Sequence, residues 1–144
     1  MNQDKIKVKL SGISASMLGC LWNRAQLSKE YSSLFYDAKA VELAEKIDYD
    51  FSISDTPFRG IMFNISRKIN LPSFESPVLR AKQFDDKIRA YIAKNPRASV
   101  VSLATGLDAT FYRVDNGMIH WYDLDLPPAI EVREQLLPKP DRVT

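Results

Sequence analysis

What most constrains this chain is a change of period close to Asn95-Pro96. Before that point apolar residues recur at the three- and four-residue spacing of buried helical stripes. After it they fall into two short blocks within "VVSLATGLDATFYRVDNGMIHWYDLDLP", Val100 to Pro127. The first block, Ser99 to Leu103, is β-branched and carries serine as its only polar residue, the composition of a strand covered on both faces. It runs into a loop at Gly106 and Asp108. A turn at Asn116-Gly117 starts the second block, Met118 to Leu124, which ends in Asp123 and Asp125 ahead of Pro127. Two strands of this kind, each ending in a polar loop, predict an α/β fold whose ligands sit beyond the carboxyl ends of the strands.

The helical part can be read stripe by stripe. Ser16 to Leu27 places Met17, Leu18, Leu21, Trp22 and Ala25 on one face. Asp37 is an N-cap for a helix with Ala40, Val41, Ala44 and Ile47 on one side. Pro57 suits the first turn of another, carrying Phe58, Ile61, Met62 and Ile65. Ser76-Pro77 opens a fourth, with Ala81, Phe84, Ile88, Tyr91 and Ile92 expected inward and Lys82, Asp85, Lys87 and Arg89 outward. A last helix, Ala129 to Leu137, follows Pro127 and stops at Pro138 and Pro140.

Composition narrows the function classes. Among 144 residues, 20 Lys and Arg face 18 Asp and Glu, for a net charge of +2. That balance argues against nucleic acid as a partner and against a polybasic membrane patch. No stretch reaches the ~20 apolar residues of a membrane span, and MNQDKIKVKL has no apolar signal core. With Cys20 as the only cysteine, no internal disulfide can form, and a cytoplasmic location is expected. With His120 as the only histidine, multi-histidine metal sites are excluded. The expected places are mid-strand, packed or at an edge, for His120 and a buried, inert position for Cys20.

The strand ends hold the candidate site. Gly106 reads either as backbone freedom in a strand-ending loop or as one of the three glycines of a dinucleotide fingerprint, which the loop otherwise lacks. Asp125 can accept both ribose hydroxyls of a nucleoside, or cap the helix after Pro127. Asp123, two residues before it, reads as a solvated or capping acid. Arg24 and Arg80 are each either solvated and ion-paired, or a guanidinium fork for a ligand carboxylate.

The same residues carry a resemblance. "LATGLDATFYR", "WYDLDLP" and the following "AIEVREQLLP" are similar to the leucine carboxyl methyltransferase family, especially its bacterial polyketide O-methyltransferase branch. That family reads L-G-x-G-L-D-T-R-F-Y-R and then W-Y/F-x-x-D-L-P. "SMLGCLWNRA", "DAKAVEL" and "KIDYDF" match its N-terminal pattern, so the likeness runs from about Lys7 to Pro138. It implies an S-adenosyl-L-methionine-dependent O-methyltransferase with a Rossmann-like sheet and a small-molecule carboxyl or hydroxyl acceptor. It also implies that Gly106 admits the cofactor's methionine portion, Asp125 takes the ribose hydroxyls, Leu126 lies against the adenine and Arg80 holds the carboxylate. Arg24 falls in the region that closes over the cofactor. No catalytic side chain is implied.

The chain departs from the family at three places. Ala104 stands where the first motif glycine belongs, Ala109-Thr110 replaces Thr-Arg, and the later strands have no counterpart. The expectation is an apparently truncated member, with residues 1–95 as a helical cap region and 96–144 as the first part of the cofactor domain. The alternative is a non-catalytic relic or interaction module that keeps the helical half. A lone strand pair leaves one edge of the first strand open, so self-association is expected. Glycine at position 104 is expected to tighten cofactor binding while lowering stability by roughly 0.5–1 kcal/mol through backbone entropy.

Overall fold

A computed structural model describes residues 5–8, 12–51 and 76–144, the side chains of 12–15 and 76–77 excepted. The helix expected at Pro57 lies outside the described residues. In chain order the elements are α1 (Gly12–Glu30), α2 (Ala38–Lys46), α3 (Ser76–Lys94), β1 (Ser99–Leu103), α4 (Thr110–Val114), β2 (His120–Leu124) and α5 (Pro127–Leu136).

β1 and β2 run parallel, with Val100 opposite Trp121 and Leu103 opposite Leu124. Beyond β2 the C-terminal residues continue the same direction: Trp121 N–H donates to the Arg142 carbonyl and Thr144 N–H to that of Trp121. The sheet therefore has a covered edge at β2. Among the described residues, the far edge of β1 has no partner.

The expectation that β1 is buried on both faces is overturned. Val100 and Ser102 are half-buried, whereas Val101 is 56% and Leu103 76% exposed. Tyr122 and Leu124 beside them are also exposed. Side chains alternate across a strand. The Val100–Trp121 face packs on Ile88 and Ile92 of α3 and on Phe111 and Val114 of α4. No described element covers the opposite face, and its apolar composition is what the sequence reading took for burial.

The largest apolar cluster draws on both ends of the chain. Met17, Leu18, Leu21 and Ala25 of α1 meet Ala40, Leu43 and Ile47 around α2, together with Leu107, Ala129, Val132 and Leu137. The α1 stripe is buried apart from half-buried Trp22. In α2 the buried residues are Ala40 and Leu43, with Ile47 after them, so the expected stripe omits Leu43, and Val41 and Ala44 are half-buried. Asp37 caps α2 by accepting from Ala40 N–H at 2.9 Å.

α3 is rotated from its expected setting. Phe84 and Tyr91 are each 59% exposed, while Asp85 is buried along with Val78 and Ile92. The inward row is Val78, Ala81, Asp85, Ile88, Ile92, a regular three-and-four spacing with a carboxylate at its centre. An acid cannot occupy such a row unless a cation meets it there. That cation is Arg113 of α4, a short helix for which the sequence analysis gives no element. Its Nε donates to Asp85 Oδ2 at 2.7 Å and its Nη2 to Asp85 Oδ1 at 3.1 Å. Nη1 reaches Asp37 Oδ2 at 2.7 Å.

Removing one partner of a buried pair costs about 3–5 kcal/mol, since the remaining charge is left uncompensated. Arg113→Ala is therefore expected to lower unfolding free energy by about that much in urea titrations. Lys139→Ala, which breaks an exposed pair with Glu134, should cost under about 1 kcal/mol. Equal losses in the two variants would show that the buried cluster has no special weight.

Candidate functional site

The loop after β1 is shaped by two left-handed residues, Ala104 at φ 52° and Gly106 at φ 46°. Gly106 is required twice over. Its backbone is in the region that favours glycine, and an added Cβ would lie 3.2 Å from that of Met17 on α1. Ala104 holds the same kind of conformation with a methyl group, at a cost of roughly 1–2 kcal/mol.

Three successive carbonyls of this loop are taken by arginines. Arg133 of α5 donates through Nη1 to Gly106 O at 3.0 Å and Asp108 O at 2.7 Å. Arg24 of α1 donates through Nη2 to Leu107 O at 2.8 Å. Arg133 is itself fixed by Asp123, whose Oδ2 accepts from its Nε at 2.8 Å. The other oxygen of Asp123 accepts from the Thr105 hydroxyl at 2.7 Å and from the Trp121 indole at 2.9 Å. Asp123 is thus a buried hub and not the solvated or capping acid read from its position.

Asp108 faces both arginines of the helical side. Its Oδ1 lies 3.6 Å from Arg24 Nη1 and 3.7 Å from Arg113 Nη2, and its Oδ2 accepts from the Thr110 hydroxyl at 2.6 Å. Burial pushes its carboxyl pKa up. The Arg24 charge, the Thr110 hydroxyl and the Arg113 charge more than offset that and hold it below the usual aspartate range.

Asp125 joins the two strand ends. Its Oδ2 accepts from Gly106 N–H at 2.7 Å and its Oδ1 from Leu126 N–H at 2.7 Å. It does not cap α5, whose N-cap position is Leu126 with no side-chain bond. A carboxylate has about four acceptor positions, so two backbone donors leave capacity on both oxygens.

These residues meet at one crevice of about 630 Å³ between α1, α3, β1 and the loop. All six candidates, Arg24, Arg80, Ala104, Gly106, Asp125 and Leu126, line it. The size falls in the range of small-molecule sites, and its wall joins apolar surface from Phe84 and Ile88 to a carboxylate and a guanidinium. Arg80 is exposed there, and its side chain makes no ion pair or hydrogen bond with the described residues. Arg24 differs, since its guanidinium is spent on Asp37, Asp108 and Leu107. Cys20 is exposed in the same wall, contrary to the buried thiol expected, because α1 turns that side toward the crevice. His120 is the first residue of β2 and is exposed, where a mid-strand place was expected. Sequence reasoning did not find Asp37, Asp85, Arg113 and Arg133 in these roles. Asp85 in an otherwise regular apolar row was the one available signal.

Comparison with known proteins gives two results. Residues 17–143 match the leucine carboxyl methyltransferase family. The chain is also 32% identical over 135 residues to the tetracenomycin polyketide synthesis O-methyltransferase TcmP of Streptomyces glaucescens. That alignment takes in 93% of this chain and 45% of the relative, so the chain spans less than half the relative's length. No solved structure gives a significant match.

The backbone at Ala104 reverses the stability cost expected for glycine there. At φ 52° glycine relieves a strained alanine, and the relief exceeds the entropy cost of a more flexible unfolded chain. Ala104→Gly is expected to raise unfolding free energy by about 0.5–1 kcal/mol, read from thermal or urea melts. A loss of stability would mean that the loop does not hold this conformation in solution.

Proposed function

Because the chain belongs to the leucine carboxyl methyltransferase family, we propose that its crevice binds S-adenosylmethionine for O-methylation of a small-molecule carboxyl or hydroxyl group. The observation that carries this reading is Asp125, an acid at the end of one strand bonded across to the Gly106 amide in the loop of the other. A nucleoside seated over that contact would offer its ribose hydroxyls to the free lone pairs of the carboxylate. Leu126, 54% exposed beside it, would lie against the base. Arg80, with no protein partner among the described residues, would take the amino acid carboxylate.

The cofactor, when bound, supplies a methyl group on a sulfonium that is already a good leaving group, so alignment is the protein's main task. The chain's residues bind and orient. Gly106 admits close approach, and the Arg24 and Arg133 ties hold the loop before a ligand arrives. In this reading residues 96–144 begin a Rossmann-like cofactor domain of a cytoplasmic enzyme and residues 1–95 form its helical cap. The role of TcmP in polyketide synthesis supports a polyketide-type acceptor.

Calorimetric titration with S-adenosylhomocysteine tests the reading. Charge-assisted bonds contribute about 1.5–3 kcal/mol each, so Asp125→Ala should weaken binding at least ~10-fold. Arg80→Lys should also weaken it, because the planar fork is lost although the charge remains. Alkylation of Cys20 should slow as the ligand fills the crevice. Absence of binding heat at millimolar ligand would overturn the proposal.

The edge and face of β1 that no described element covers favour a second property of the same chain. Unpaired strands with apolar side chains such as Val101 and Leu103 template association. The chain is expected to self-associate. Light scattering across a concentration series should give a rising mass. A mass that stays at that of one chain would contradict this.

A further inference from the structure

The loop 104–108 carries the crevice contacts, and its distinctive tie is the carboxylate of Asp108. That group lies at a junction. One of its oxygens faces Arg24 of α1 at 3.6 Å and Arg113 of α4 at 3.7 Å. The other is bonded to Thr110. Both oxygens are therefore engaged by protein groups although the side chain lines the crevice wall. The two arginines reach further, to Asp37 at 3.3 and 2.7 Å and, through Arg113, to Asp85 at 2.7 Å. Arg24 also holds the next carbonyl along the loop, that of Leu107.

We propose that Asp108 is a positioning residue, which fixes the ligand loop against the helical part of the chain through Arg24 and Arg113 without touching the ligand. Asp37 and Asp85 already supply two negative charges to Arg113, and Asp37 supplies one to Arg24. Among the described residues, Asp108 is the acid of this cluster that lies on the loop itself, so its charge converts the attraction among helices into a restraint on Gly106 and Leu107. Without it, the loop keeps the Arg133 ties to α5 and the Arg24 bond to the Leu107 carbonyl but loses its carboxylate link to Arg24 and Arg113.

The inference rests on the methyltransferase reading only where ligand affinity is concerned, and the test separates the two. Asp108→Asn keeps the shape and a hydrogen-bond acceptor but removes the charge. Amide hydrogen exchange of the ligand-free chain should accelerate at Gly106 and Leu107 at least ~10-fold, with a smaller loss of stability than in Arg113→Ala, because Asp37 and Asp85 still compensate the two arginines. Affinity for S-adenosylhomocysteine should fall by about the same factor. Asp108→Glu, which keeps the charge, should stay closer to the parent in both readings, and Arg24→Gln, which also removes the Leu107 carbonyl bond and the Asp37 pair, should exceed Asp108→Asn in both. If Asp108→Asn fails to fold, Thr110→Val, which removes the hydroxyl bonded to the same carboxylate, should accelerate loop exchange in the same direction.

Weaker binding with unchanged loop exchange would place Asp108 in contact with the ligand and overturn the positioning role. Unchanged exchange and affinity would also overturn it, leaving Arg133 as sufficient. If the parent chain binds no S-adenosylhomocysteine while loop exchange still accelerates in the variant, the positioning role stands and the methyltransferase reading fails.

Discussion

Arg113 sits 10% exposed among carboxylates that cannot remain in the interior without it. Burial works against its charge, but hydrogen bonding to Asp85 and the charges of Asp37, Asp108 and Asp85 more than offset this and raise its pKa. Its guanidinium also lies 5.0 Å from the ring centre of Phe35. A short α4 thereby holds the N-cap of α2, the middle of α3 and the end of the ligand loop at once. A buried pair is a poor source of net stability compared with well-packed apolar groups, yet it is exacting about geometry. The arrangement suits a structure whose purpose is to set one loop against two helices.

The consequence appears in the loop after β1. Its carbonyls at 106, 107 and 108 all accept hydrogen bonds from arginines of α1 or α5. Its amide at 106 is held by Asp125. A loop satisfied in this way loses little conformational freedom when a ligand arrives, which is the general route to affinity from a small contact surface. The crevice is therefore organised by neighbours drawn from both halves of the sequence, and its two halves meet at Asp125.

The candidate site was more legible than the fold around it. Gly106, Asp125, Leu126, Arg24 and Arg80 were placed by strand-end logic and by motif resemblance, and they do line one crevice. Strand positions, the Asp37 cap and the apolar faces of α1 and α2 follow from period and turn chemistry alone. The misreadings share one cause, which is that a local pattern carries no information about long-range partners. Asp85 looked solvent-facing because its partner Arg113 lies 28 residues away. Asp123 looked like a cap because Arg133 and Thr105 were not visible as its partners. β1 looked doubly covered because apolar composition reports what a face suits, and the described residues leave one of its faces bare. The strain at Ala104 could not be read at all, since φ is set by the turn and not by the residue type.

The central claim is that the two strand ends form one nucleoside-binding crevice through Asp125. Two backbone amides, Gly106 and Leu126, donate to its two oxygens and so report directly on that carboxylate. An NMR titration that follows these two amides as S-adenosylhomocysteine is added therefore tests the claim most directly. Both should move together, saturably and with a common dissociation constant, and an analogue lacking the 2′-hydroxyl should move them less. Amides that stay in place up to millimolar ligand, in a chain that remains folded, would contradict it.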